Sequence, residues 1–156
     1  MYGFLGIVVA SASIVGAKVS KRLLATYKPE KIIYIGCLVM TGGAILLSVI
    51  TFVGSNPNVI YMVVFLIAMF ILLLGIGVAL PNCLSLALVD FQDVIGTAGA
   101  LFSLGYYVIV TMTIWGMSQL HTGSLLVMPF YFLVIVVIMA VFTRVFIFGK
   151  QTSKSI

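Results

Sequence analysis

Apolar residues run in five long stretches along the chain, at roughly 3–24, 32–53, 59–88, 94–119 and 124–147, separated by short polar connectors. A helix needs about 20 mostly apolar residues to cross the hydrocarbon layer, and each stretch supplies them. The runs lack the alternation over about ten residues that marks the strands of a closed membrane barrel. In lipid every segment must satisfy its own backbone N–H and C=O groups. The pattern therefore predicts an all-α, polytopic membrane protein with five transmembrane helices in one membrane domain, residues 1–156.

The connectors carry helix-boundary chemistry. In "YKPEK" (27–31) Pro29 and Glu30 stand where a helix begins, because proline suits the first turn and a carboxylate favours its positive end. "GSNPN" (54–58) offers Asn56 as a cap with Pro57 at the first helical position. "HTGS" (121–124) reads as a polar turn, with Pro129 falling near the start of the last helix, where a missing donor costs less. Asp93, in "VDFQD" (89–93), is placed to cap the fourth helix.

Composition sharpens this picture. The chain is 63% hydrophobic and only 7% charged, so it has no polar coat for a water-soluble domain. The net charge of +5 does not point to nucleic acid, because the basic residues gather at the ends of apolar spans. Lys18, Lys21, Arg22, Lys28 and Lys31 form one basic connector, Arg144, Lys150 and Lys154 lie towards the C-terminus, and the connectors at 54–58 and 121–124 hold none. All eight positive charges fall on one side, which predicts an outside N-terminus and a cytoplasmic C-terminus. Tyr2 and Tyr61 on the outer side, with Tyr27 and Tyr34 on the inner, form interfacial belts in this reading. Lys18 sits inside the first span, where its stem carries the ammonium to the inner headgroups. The first residues are read as a retained span, since their positive charge follows the apolar stretch instead of preceding it. Cys37 and Cys83 lie far apart in apolar runs without metal-ligand spacing and are expected to act as small buried residues.

The glycines are unusual for helices. In lipid the drive between helices comes from close packing, which small residues permit. Gly96, Ala100 and Ser103 fall on one face of the fourth span, with Gly99 and Ser103 a second small pair beside them, so this span carries a smooth stripe for another helix. Ordinary packing and a mobile transport interface both fit the stripe. Gly75 and Gly77 precede Pro81, which cannot donate to the Gly77 carbonyl and crowds it, predicting a kink in the third span. Asn82 and Ser85 follow, placed to satisfy freed backbone groups or to face a cavity.

The stretch "GIGVALPNCLSLALVDFQDVIGTAGALFSLGYY" resembles the tenth-to-eleventh-helix region of major facilitator drug/proton antiporters, particularly the Bcr/CflA multidrug efflux group, through Gly75, Gly77, Pro81, Asn82, Gly96, Thr97, Ala98 and Ala100. Upstream, "FLGIVVASASIVGAKVSKRLLATYKPEKIIYIG" is similar to the family's eighth helix, the basic loop after it and the start of the ninth, through Gly16, Arg22, Leu23, Leu24, Pro29 and Gly36. The chain departs from the pattern at Ala25, Thr26 and Lys28, and has Tyr106 where the family often has glutamine. The resemblance implies helices eight to twelve of a bacterial inner-membrane transporter, working by alternating access and proton antiport. An N-terminal half would then be the partner, and a drug or small solute the cargo. The family's proton-coupling carboxylate belongs to that other half, and here Glu30, Asp90 and Asp93 all sit in connectors. A truncated or separately encoded chain, uncoupled by itself, is thus expected.

Asn82, Ser103, Tyr106 and Tyr107 are the candidate cavity-lining residues, tyrosine being able to stack on a substrate and orient its polar groups. Packing between helices accounts for the same tyrosines equally well. Met62, Met69 and Met112 would lend a pliable wall or plain core filling. A small non-transport membrane protein, serving as assembly partner or scaffold, is the alternative. The sequence carries no GxSxG, no HExxH and no paired Asp, and its single histidine, His121, sits in a turn, so neither an enzyme nor a cofactor or metal site is expected.

Overall fold

The computed structural model describes residues 2–54, 59–120 and 127–152, with side chains over 6–54, 59–120 and 127–145. The expected Asn56–Pro57 cap, the turn with His121, Lys154 and the side chains of Tyr2 and Lys150 lie outside those residues. Among the described residues the chain is helical apart from the connector at 25–28 and Gly54. It forms α1 (Tyr2–Leu24), α2 (Pro29–Val53), α3 (Val59–Leu88), a 3-10 turn (Val89–Val94), α4 (Ile95–Leu120) and α5 (Val127–Thr152).

The ends follow local chemistry. α1 closes with Lys21 and Arg22 in its last turn, where cations complement the carbonyl end of the helix. Its last carbonyls are taken by the turn, with the Tyr27 N–H donating to Leu23 at 2.8 Å and the Thr26 N–H to the same carbonyl at 3.0 Å. α2 starts with Pro29 in its first turn and Glu30 beside it, as the connector predicts, so the helix begins before the apolar run does. At the other end the Gly54 N–H donates to the Ile50 carbonyl at 2.9 Å, and the ring of Tyr61 occupies the place a side chain at Gly54 would need. Tyr61 in turn stacks on Phe65, centroids 6.4 Å apart.

The third and fourth segments differ from their expected form at the joint between them. The helical run of α3 continues through Pro81, and the non-helical residue is Phe91, at φ −119° and ψ 32° in the 3-10 turn. Asp93 lies inside that turn with helix on both sides, so there is no free helix start for it to cap.

The five-span count is also not what the structure gives. Among the described residues three stretches are long and apolar enough to cross a membrane: Pro29–Val53, the 62-residue Val59–Leu120, and Val127–Val145. α3 and α4 merge because a 3-10 turn, not a loop, joins them.

Four helices pack in a row, α1 on α3, α3 on α2, and α2 on α5, while α1 barely touches α2. α2 supplies the spine of the core. Ile32, Ile33, Gly36, Cys37, Met40, Gly43, Ala44, Leu47, Ser48 and Thr51 are all buried, a helical repeat running its whole length. α3 answers with Ala68, Leu72, Gly75, Val78, Ala79 and Asn82. α4 has no buried residue at all and makes only slight contact with α3 and α5.

The α2–α3 seam is set by glycine. A Cβ on Gly43 would stand 2.7 Å from the backbone nitrogen of Leu72, and one on Gly75 would stand 2.7 Å from that of Met40. A Cβ replacing a hydrogen of Gly36 would point at the Gly75 carbonyl oxygen at 3.1 Å, and one on Gly75 at the Gly36 oxygen at 2.8 Å. The two backbones thus approach too closely at Gly36 and Gly75 for either residue to carry a side chain without a shift. Gly42 provides an adjacent control, since nothing lies within 4 Å of a Cβ there. Gly43→Ala is expected to lower stability by about 1–3 kcal/mol through overpacking against backbone that cannot yield. Gly42→Ala should be neutral or stabilising by up to about 1 kcal/mol. Unfolding of both variants in the same detergent micelles checks the pair.

Candidate functional site

Two kinds of surface compete as the working part of this molecule, the polar-dotted seam between α1 and α3 and the uncovered length of α4. In the seam, Gly16 faces Gly77 so closely that a Cβ on Gly16 would lie 3.1 Å from the Gly77 backbone and from the Leu74 carbonyl. Ser13 lines the other side of Gly77. Ala12, Gly16 and Ser20, at i, i+4 and i+8, are the buried row of α1.

At the end of this row Asn82 reaches across from α3. Its Nδ2 donates to Ser20 Oγ at 2.6 Å and to the Val78 carbonyl of its own helix at 2.6 Å, which uses both amide protons. Asn82 is only 3% exposed and Ser20 4%. A buried amide without partners would cost its full desolvation, so this pairing fixes where α1 sits on α3. On the far side of the bundle Cys37 Sγ lies 3.6 Å from Thr143 Oγ1 on α5. The Thr143 hydroxyl already donates to Met139, which leaves the thiol as donor. Both cysteines are free, Cys37 buried as expected and Cys83 partly so.

Most other hydroxyls turn inward on their own helix. Ser11, Ser13, Thr41, Ser48, Thr51, Thr111 and Thr113 each donate to a carbonyl three or four residues back, at 2.7–2.9 Å.

α4 has a different character. Nothing lies within 4 Å of a Cβ on Gly96, Gly99 or Gly105, so among the described residues its small-residue stripe meets no other helix. Tyr106 and Tyr107 form an edge-to-face pair, centroids 5.6 Å apart, and Tyr107 is 66% exposed. Ser103 and Ala100 are exposed on the same helix. The one described hydrogen bond from α5 to α4 is that of the Tyr131 hydroxyl, which donates to the Thr113 carbonyl at 2.7 Å beside Gly116. Where α3 turns into α4, an apolar groove of about 390 Å³ is lined by Ala87, Leu88, Phe91, Val94, Thr97, Ala98, Leu101 and Phe102.

Of the four residues expected to line one cavity, the structure places one apart from the other three. Asn82 is buried against α1, while Ser103, Tyr106 and Tyr107 stand on open α4, and none of the four lines the groove. Gly75 and Gly77 belong to the packed seams, Pro81 is exposed beside them, Gly96 and Gly99 meet no described neighbour, and Ala100 is exposed. Lys18, Lys21, Arg22, Lys28 and Lys31 are all exposed around the α1–α2 connector. Sequence reading missed Ser20, Gly36 and Gly43 as contact residues. Their signal was available in the spacing, with Ser20 eight residues from Ala12 and Gly36 seven from Gly43 on one helix face.

Among curated proteins the chain is similar to an uncharacterized transporter of Rickettsia felis, 28% identical over 129 residues, covering 80% of this chain and 32% of that protein. An uncharacterized transporter of Rickettsia bellii is 26% identical over 129 residues, with the same coverage. An uncharacterized protein of Rickettsia conorii is 31% identical over 85 residues, 54% of this chain and 66% of that protein. The chain thus spans about a third of the two transporters it matches. No family model matches it, and no solved structure does so significantly.

The slight tie between α4 and α5 generates a local expectation. Tyr131→Phe removes the hydroxyl bond to Thr113 and should cost about 0.5–1.5 kcal/mol, the usual net worth of one hydrogen bond. Hydrogen exchange in α4 should rise while the α2–α3 seam keeps its protection.

Proposed function

We propose that this chain is part of a membrane transporter, and that it forms the C-terminal helices of a major facilitator drug/proton antiporter working by alternating access. The observation that carries the reading is the similarity, over 80% of the chain, to one third of each of two proteins named transporters. A matched 129 residues at that share imply a whole of about 400 residues, enough for about twelve crossings with their connectors.

In this reading Val59–Leu120 is two crossings folded at the 3-10 turn. Sixty-two residues of straight helix would extend about 90 Å, three times the hydrocarbon thickness. Asp90, Gln92 and Asp93 hold that turn at the water interface. α1 makes the fifth crossing and ends in the basic connector on the cytoplasmic side of a bacterial inner membrane. α4 faces the cavity, with Ser103, Tyr106 and Tyr107 exposed to a small organic solute and Gly96, Gly99 and Ala100 packed on an N-terminal half. Proton coupling resides in that half, because the carboxylates of this chain stand in its connectors.

Export of a cationic dye against a proton gradient tests the proposal. The five helices expressed alone should give no coupled efflux, and co-expression with an N-terminal half should restore it. Coupled export by the chain alone would overturn the division of labour. Cysteines placed at Ser103 and Tyr107 should react with a membrane-impermeant maleimide in the assembled protein, whereas unreactive thiols at both would remove α4 from the cavity. A cysteine at Lys28 should be labelled only after the cytoplasmic face is opened to the reagent.

A further inference from the structure

The two glycine seams on α3 differ in a way that matters for motion. On the α2 side they interlock, with Met40 seated over Gly75 and Leu72 over Gly43, so sliding one helix along the other means lifting side chains out of their seats. On the α1 side backbone faces backbone at Gly16 and Gly77, with no large side chain crossing between them. α1 is attached through this face almost alone, since it scarcely touches α2 and its buried row is Ala12, Gly16 and Ser20. The single described side-chain hydrogen bond between α1 and the rest of the bundle is Asn82 to Ser20. Beside it, Pro81 has no N–H to give the Gly77 carbonyl, which leaves an acceptor on the same turn of α3.

We propose that α1 is a shear element of this bundle and that the Asn82–Ser20 hydrogen bond is its latch. With the bond made, α1 is held in the register seen here. When it opens, the amide proton released from Ser20 turns to the carbonyl of Gly77, so the buried donor stays satisfied in both states, and α1 moves along the smooth Gly16–Gly77 face. α2, α3 and α5 move as one body. Packed helices shift by such sliding where an interface has two arrangements of similar energy, and an exchange of hydrogen-bond partners keeps the energies close. The inference concerns movement within the bundle and holds whatever the chain carries.

Spin-label distance measurements on the full chain in lipid nanodiscs test it, with Cys37 and Cys83 replaced by alanine. One label pair, at Lys21 and Ser85, reads α1 against α3, and a second, at Leu38 and Leu80, reads α2 against α3. All four positions are exposed. Ser20→Ala, a minimal change, should at least triple the population of a second α1–α3 distance and leave the α2–α3 distribution unchanged. Ser20→Thr, which keeps the acceptor, should restore the original distribution. An unchanged α1–α3 distribution in Ser20→Ala would overturn the latch. Equal broadening of both pairs would overturn the shear motion, since the bond would then hold the whole bundle together.

Discussion

How closely two helix backbones can approach governs this structure. In a hydrocarbon solvent burying one apolar side chain against another gains little over burying it in lipid, so helices associate by packing atoms at short range and by weak polar contacts. Both require removing the side chains that would hold backbones apart. Gly36, Gly43 and Gly75 do this between α2 and α3, and Gly16 and Gly77 between α1 and α3. The row of helices, and α3's place inside it, follow from which faces carry those residues. α4 illustrates the converse, since Gly96, Gly99 and Gly105 meet no described partner and nothing on it is buried.

The helices themselves were legible in the sequence to within a few residues, because uninterrupted apolar length and end chemistry such as Pro29–Glu30 are local properties. Gly75, Gly77 and Pro81 were legible as special positions for the same reason. Their partners were not, because which glycine meets which depends on the rotation and adjacency of helices remote in sequence. The stripe on α4 looked as much like a seam as the true ones did, and spacing alone does not say whether a neighbour is present. Asn82 was read as lining a cavity or satisfying freed backbone groups; its bond to Ser20, 62 residues away, is a tertiary fact. The joint between α3 and α4 escaped because a short polar connector can be a loop or a helical turn, and here Val89–Val94 stays helical apart from Phe91.

The division between a packed row and an open helix gives the functional reading its shape. A transporter needs parts that hold their form and parts that exchange partners. α2, α3 and α5 fit the first description through interlocked side chains and the Cys37–Thr143 contact. α4 fits the second, joined to α3 through one non-helical residue and to α5 chiefly through one tyrosine hydroxyl. Similarity to a third of two larger proteins named transporters is what such an uneven surface would accompany.

The folded-in hydroxyls change what surrounds this protein perceives. Thr111 and Thr113 on α4, like Ser11 and Ser13 on α1, spend their protons on their own backbones, so the face each turns outward is closer to that of valine or alanine than its name implies. In the proposed reading, a solute sliding along α4 would meet a nearly oily wall broken at the phenols of Tyr106 and Tyr107, and selectivity there would follow shape and ring stacking far more than the count of polar residues suggests.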